Sequence, residues 1–179
     1  MQLGIQKAVR TPQNVYRKFI EFEERAADTY LRLASRFAEQ KPELSALWLE
    51  MAIEEKQHAG LLQFCLAQTL FAPNLPAETD IRKFTGLFRS LERRAADPEL
   101  DVNGAFVLGS ELEDSEVNAI YSYLTTPLHK SLYLLRRKIA VSPANHIDRL
   151  VLAAKKFGIP QATIKKLDRV RKSSPTAFF

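Results

Sequence analysis

The sequence predicts an all-α protein. Four long helices form a bundle, one long crossover between the second and third carries a short extra helix, and a short helix follows at the C-terminal end. Three observations carry this. Glycine is scarce, at six of 179 residues, while the helix formers Leu, Ala, Glu, Lys and Arg dominate. Apolar residues recur three and four apart over long stretches, and Pro and Gly fall between the stretches rather than inside most of them. No segment alternates apolar and polar residues as a half-buried strand does. The length suits one domain with a substantial core.

Thr11-Pro12 supplies a cap and a proline for the first helical position. The first helix then runs over about 12–40, with Val15, Phe19, Phe22, Ala26, Tyr30, Leu33 and Phe37 on one stripe. Lys41-Pro42 breaks it and opens the second, over about 42–70. Pro73 and Pro76 mark a loop, after which Asp80 is expected to cap a shorter helix ended by Asp97-Pro98. Asn103, or a near neighbour, opens the third long helix, to about 124. Thr126-Pro127 repeats the cap-plus-proline signal for the fourth. Pro143 interrupts that helix, or restarts it with Ser142 as cap, before Gly158-Ile159-Pro160 stops it. A last helix follows over about 160–172. The expected division is a bundle at 1–158 and a basic C-terminal helix and tail at 159–179.

Composition narrows the function classes. No apolar run reaches the roughly 18 residues of a membrane span. Residues 1–10 lack the apolar centre of a signal peptide, so a cytoplasmic protein is expected. The single cysteine, Cys65, lies in an apolar helical stretch and reads as a small core residue in a reducing compartment. The net charge of +5 is concentrated near the C-terminus, where Lys155, Lys156, Lys165, Lys166, Arg169, Arg171 and Lys172 face only Asp168. That segment is either a solvated face or a surface for an anionic partner such as nucleic acid. No aromatic interleaving accompanies it.

Six polar residues share register with the apolar stripes. Glu55 and His58 form a Glu-x-x-His step, close to one helical turn, which places carboxylate and imidazole side by side. Glu23 lies between Phe19 and Ala26. Glu113 and Glu116 sit three apart on the third long helix, and His146 lies four before Leu150 on the fourth. Taken singly, Glu23 and Glu116 read equally as solvated, and His146 as a residue near a helix restart. Taken together, acidic residues from three helices and two histidines make the ligand set of a carboxylate-bridged metal pair.

These segments resemble the ferritin-like domain of the rubrerythrin family. Glu23 to Ala34 is similar to that family's Glu-x-x-Ala-x-x-x-Tyr-x-x-x-Ala signature, and Glu55 to Ala59 to its Glu-x-x-His-Ala segment. Glu113 with Glu116 resembles the family's ligand Glu followed three residues later by an extra one. Ile139 to His146 is similar to its last Glu-x-x-His run, but with Pro143 where the Glu belongs. The likeness covers about 12–157, with 73–101 as an insertion, and no Cys-x-x-Cys pair accompanies it. It implies a ferritin-like bundle in which Glu23, Glu55, His58, Glu113, Glu116 and His146 hold metal and Tyr30 hydrogen-bonds behind them. Two irons, one or none are the states left open by Pro143, and manganese or zinc also suits these ligands. The implied activity is iron-dependent reduction of peroxide or dioxygen by a homodimer served by an external electron donor. The alternative is a non-catalytic binding or scaffold module of the same fold.

Overall fold

A computed structural model of the protein describes residues 11–116 and 146–173, the side chains of Glu116 and Ser173 excepted. Every regular element among the described residues is a helix. They are α1 (Pro12–Phe37), α2 (Pro42–Ala67), α3 (Glu78–Ala95), α4 (Val102–Glu116), α5 (residues 146–156) and α6 (Gln161–Ser173). The chain is an all-α ferritin-like bundle: α1, α2, α4 and α5 surround one core, and α3 rides in the crossover between α2 and α4. The expected signals at Thr126-Pro127, Ser142 and Pro143 lie outside the described residues.

The helix ends follow local chemistry. The Thr11 hydroxyl accepts the Asn14 N–H at 3.2 Å, and Pro12 occupies the first turn, where its missing N–H costs nothing. At the end of α5, Gly158 adopts φ +67°. Its N–H meets the Lys155 carbonyl at 3.2 Å, and the Ile159 N–H meets the Ala154 carbonyl at 2.9 Å. This pair of bonds satisfies the last carbonyls of the helix. The same pairing closes α2, with Thr69 rather than glycine in the left-handed position at φ 53°.

Asp80 does not cap α3. The helix begins two residues earlier, behind Ala77, which makes no side-chain cap bond, and Asp80 lies inside the first turn. There Glu78 and Asp80 favour the helix through its dipole rather than through a cap. Further along, Phe84 and Phe88 of α3 meet Phe22 of α1, Phe88 stacked at 5.1 Å. For α4 the capping residue is Asp101, whose carboxylate accepts the Gly104 N–H at 2.6 Å. Asn103 instead accepts a hydrogen bond from Thr163 at 2.8 Å and ties α6 to α4.

Helices α1 and α2 form an antiparallel hairpin. Tyr30 stacks on Trp48 at 5.8 Å, the Ser45 hydroxyl donates to the Ala34 carbonyl, and the Tyr16 hydroxyl accepts the Ala72 N–H. Burial pushes the Tyr16 phenol up to about 12. Trp48 then packs against Phe106 of α4, and Gly109 leaves the space its rim occupies. The basic segment at the C-terminal end is not wholly solvated. In α6, Thr163, Ile164, Leu167 and Val170 are buried, and Lys166 pairs with Glu111 at 2.7 Å, while Lys165, Arg169 and Lys172 face outwards.

Candidate metal centre

Three residues per near-turn bring Glu55 and His58 onto the buried side of α2, and the stripe of α1 brings Glu23 opposite them. Glu113 arrives from α4 and His146 from α5. All five side chains are buried, His58 the least so at 8% exposure. The side chain of Glu116 lies outside the described residues, as does Pro143.

Glu55 stands at the centre. One of its oxygens lies 2.8 Å from Nδ1 of His58, and the other lies 3.1 Å from Nδ1 of His146. Glu23 approaches His58 Nδ1 at 3.7 Å, and Glu113 approaches His146 Nδ1 at 3.3 Å. Two overlapping groups result, Glu23–Glu55–His58 and Glu55–Glu113–His146, each with its ligand-type atoms within 4.8 Å of one another. The two imidazole centroids are 5.5 Å apart. Tyr30 donates its hydroxyl to Glu113 at 2.7 Å.

The electrostatics are those of a cluster built around positive charge. Both oxygens of Glu23, Oε1 of Glu55 and Oε2 of Glu113 are buried without a hydrogen-bond partner. Buried carboxylate oxygens left in that state are costly unless a cation stands near them. Burial and the neighbouring Glu55 push the Glu23 carboxyl up to about 7, against the pull of His58. For His58, burial would lower the pKa, but Glu55 and Glu23 override it and raise it to about 10. Burial likewise disfavours the charged form of His146, yet Glu113 and Glu55 lift its pKa well above the ordinary histidine value. Glu55 shows the converse: burial would raise it, and the two imidazoles hold it well below the usual carboxylate range. Carboxylates and imidazoles with unfilled buried oxygens fit iron, manganese or zinc.

Two functional candidates escape sequence reading. Glu54, beside Glu55, turns towards α5 and accepts a hydrogen bond from Nε2 of His146, while Arg149 donates to the same oxygen at 2.7 Å. The bond from His146 and the charge of Arg149 outweigh partial burial and bring Glu54 down to about 2. A carboxylate accepts only, so Nε2 carries the proton and Nδ1 faces Glu55 and Glu113. An acidic residue beside the Glu-x-x-His step, and a basic one three after His146, are the only sequence signals. Neither reveals that the two side chains meet.

The sequence model of the Rubrerythrin family matches residues 17–97, which span α1, α2 and α3. No curated protein gives a match, and neither does any solved structure.

Proposed function

We propose, for a chain whose residues 17–97 match the rubrerythrin family model, that the buried cluster is a metal centre that reduces peroxide or dioxygen. The observation that carries the reading is Glu55, whose two oxygens face two different imidazoles, as a carboxylate bridging two ions requires. Glu23 with His58 would hold one ion and Glu113 with His146 the other, with Glu116 available on the same helix. Iron, if bound there, would supply the electrons that the oxidant takes up. The chain's own residues do the rest. Glu54 and Arg149 orient His146, and the Tyr30 hydroxyl fixes Glu113. In the metal-free cluster Glu23, raised to about 7, exchanges its proton near neutrality and would give it up on binding an ion. His58 is the most exposed member, so a small oxidant is the substrate class that suits access. Electrons reach the centre from an external donor.

One observation favours a metal-free binding module. The carboxylates of Glu23, Glu54, Glu55 and Glu113 already face the cations of His58, His146 and Arg149, so the network comes close to charge balance alone. Iron-loaded protein mixed anaerobically with hydrogen peroxide separates the two. The enzyme reading expects rapid spectral oxidation of bound ferrous iron, lost in Glu55→Ala. A module would hold no iron and show no such change.

Self-association into a homodimer belongs to the same proposal. Leu49, Ile53 and Phe64 lie along one exposed side of α2, about half exposed, with Gly60 between them. Sedimentation of wild type against Ile53→Glu tests it, the variant expected as monomer. Among the described residues no helix is long and apolar enough to cross a membrane. A cytoplasmic, reducing setting suits the buried free thiol of Cys65. The outward Lys165, Arg169 and Lys172 of α6 are the residues that nucleic acid would meet, and salt-sensitive DNA retention is its test.

A further inference from the structure

On the outer side of α1, away from the buried cluster, α1 and α3 part to form a cleft. One portion of about 690 Å³ is lined by Asp28, Arg32, Arg36 and Ala95 among others. It shares Asp28, Arg32 and Ala96 with a second portion of about 470 Å³ that adds Arg89, Glu92 and Arg93. Each portion has the size of a small-molecule site.

The walls are fixed at both ends. Arg25 of α1 grips Glu92 of α3 through two bonds, at 2.6 and 2.9 Å, and its guanidinium lies over the Phe88 ring. At the other end Arg36 donates to the carbonyls of Asp97, Pro98 and Leu100. Three further guanidiniums line the cleft, Arg32 from α1 and Arg89 and Arg93 from α3. All three are exposed. None makes a side-chain hydrogen bond or ion pair with any described residue. The two carboxylates of the cleft are already engaged, Glu92 by Arg25 and Asp28 by Lys56 at 3.4 Å.

Like charges on facing walls repel, and each guanidinium offers several donors in a rigid fork. Three of them stand around one carboxylate, Glu92, which Arg25 already grips, so the cleft keeps an excess of positive charge complementary to a compact polyanion. One carboxylate cannot engage both walls, whereas a phosphoryl group presents several charged oxygens in different directions.

We propose that the α1–α3 cleft binds a small phosphoryl compound carrying two or more negative charges, held by Arg32, Arg89 and Arg93. The site is independent of the metal reading, since none of its residues belongs to the buried cluster. It gives the chain a second, anion-dependent input on the segment that matches the family model.

The test is calorimetric titration of the full chain with inorganic pyrophosphate, in low salt and without added metal. Saturable binding of one pyrophosphate per chain is expected. Arg89→Ala and Arg32→Ala should each weaken it about tenfold or more, as loss of a charge-assisted bond does. Lys18→Ala, an exposed cation of α1 paired with Glu21, should leave it unchanged. Circular dichroism melts of the variants confirm that the fold persists, as expected for exposed side chains. Absence of saturable binding overturns the proposal. So does binding that Arg89→Ala and Arg32→Ala leave intact, which would place the anion elsewhere. Equal weakening by Lys18→Ala overturns it too, since that marks a general charge effect.

Discussion

Metal uptake by the metal-free protein should release protons, and the structure sets how many. His58 is raised to about 10 and His146 well above its ordinary value, so both imidazoles carry an extra proton at pH 7. Glu23, raised to about 7, is half protonated there. Metal coordination requires neutral imidazoles and an ionised carboxylate. Filling both groups at pH 7 therefore expels about two and a half protons per chain, and filling only Glu23–Glu55–His58 expels about one and a half. At pH 6 Glu23 is largely protonated and the full count approaches about three; well above pH 7 the Glu23 contribution is lost. The cost is considerable. Removing the His58 proton at pH 7 takes about 4 kcal/mol from the binding free energy, three pKa units at 1.36 kcal/mol each. The overall binding constant should thus rise roughly 300-fold per pH unit near neutrality. The assay is titration calorimetry with ferrous or manganous ion under anaerobic conditions, repeated in buffers of different ionisation enthalpy. A slope of zero against buffer enthalpy would refute the reasoning, because metal would then be entering a cluster whose histidines were already neutral.

Three further outcomes follow from particular contacts. Glu54→Gln keeps the shape but removes the charge that holds the His146 Nε2 proton, and should weaken metal binding 10- to 100-fold, read as a chelator-competition constant, with the helical spectrum unchanged. Gly109→Ala places a Cβ 3.2 Å from the Trp48 ring, which is itself fully buried, and should cost about 1–3 kcal/mol in urea unfolding; an unchanged midpoint would mean the ring has room to move. Thr69→Gly relieves a β-branched residue from the left-handed region and should stabilise the protein by about 0.5–1 kcal/mol, seen as a higher melting temperature.

Much of the fold is legible because α1 has a strong apolar stripe and the starts of α1 and α2 have unambiguous punctuation. Thr11-Pro12 and Lys41-Pro42 mark their starts within a residue. Asp80 has the side chain of a cap, yet α3 starts two residues earlier behind Ala77 and is held in place by Phe84 and Phe88 against Phe22. That is a tertiary constraint no local window contains. The inward places of Glu23, Glu55, His58, Glu113 and His146 follow from stripe register, since a polar residue in phase with buried neighbours is buried with them. Glu54 is out of phase on α2, so only the angle at which α5 crosses reveals its bond to His146. The arginines of the α1–α3 cleft are hidden for the same reason: Arg32 and Arg89 lie far apart in sequence and read separately as ordinary solvated charges.

The shared role of Glu55 is tested most directly by metal content. Protein purified without chelators and loaded anaerobically with ferrous iron should carry about two ions per chain by plasma mass spectrometry, as two groups sharing one carboxylate require. Glu55→Ala should lose both together, because each group loses the same residue. A chain that binds no iron, or a Glu55→Ala variant that keeps the wild-type content while folded, would contradict a centre bridged by this carboxylate.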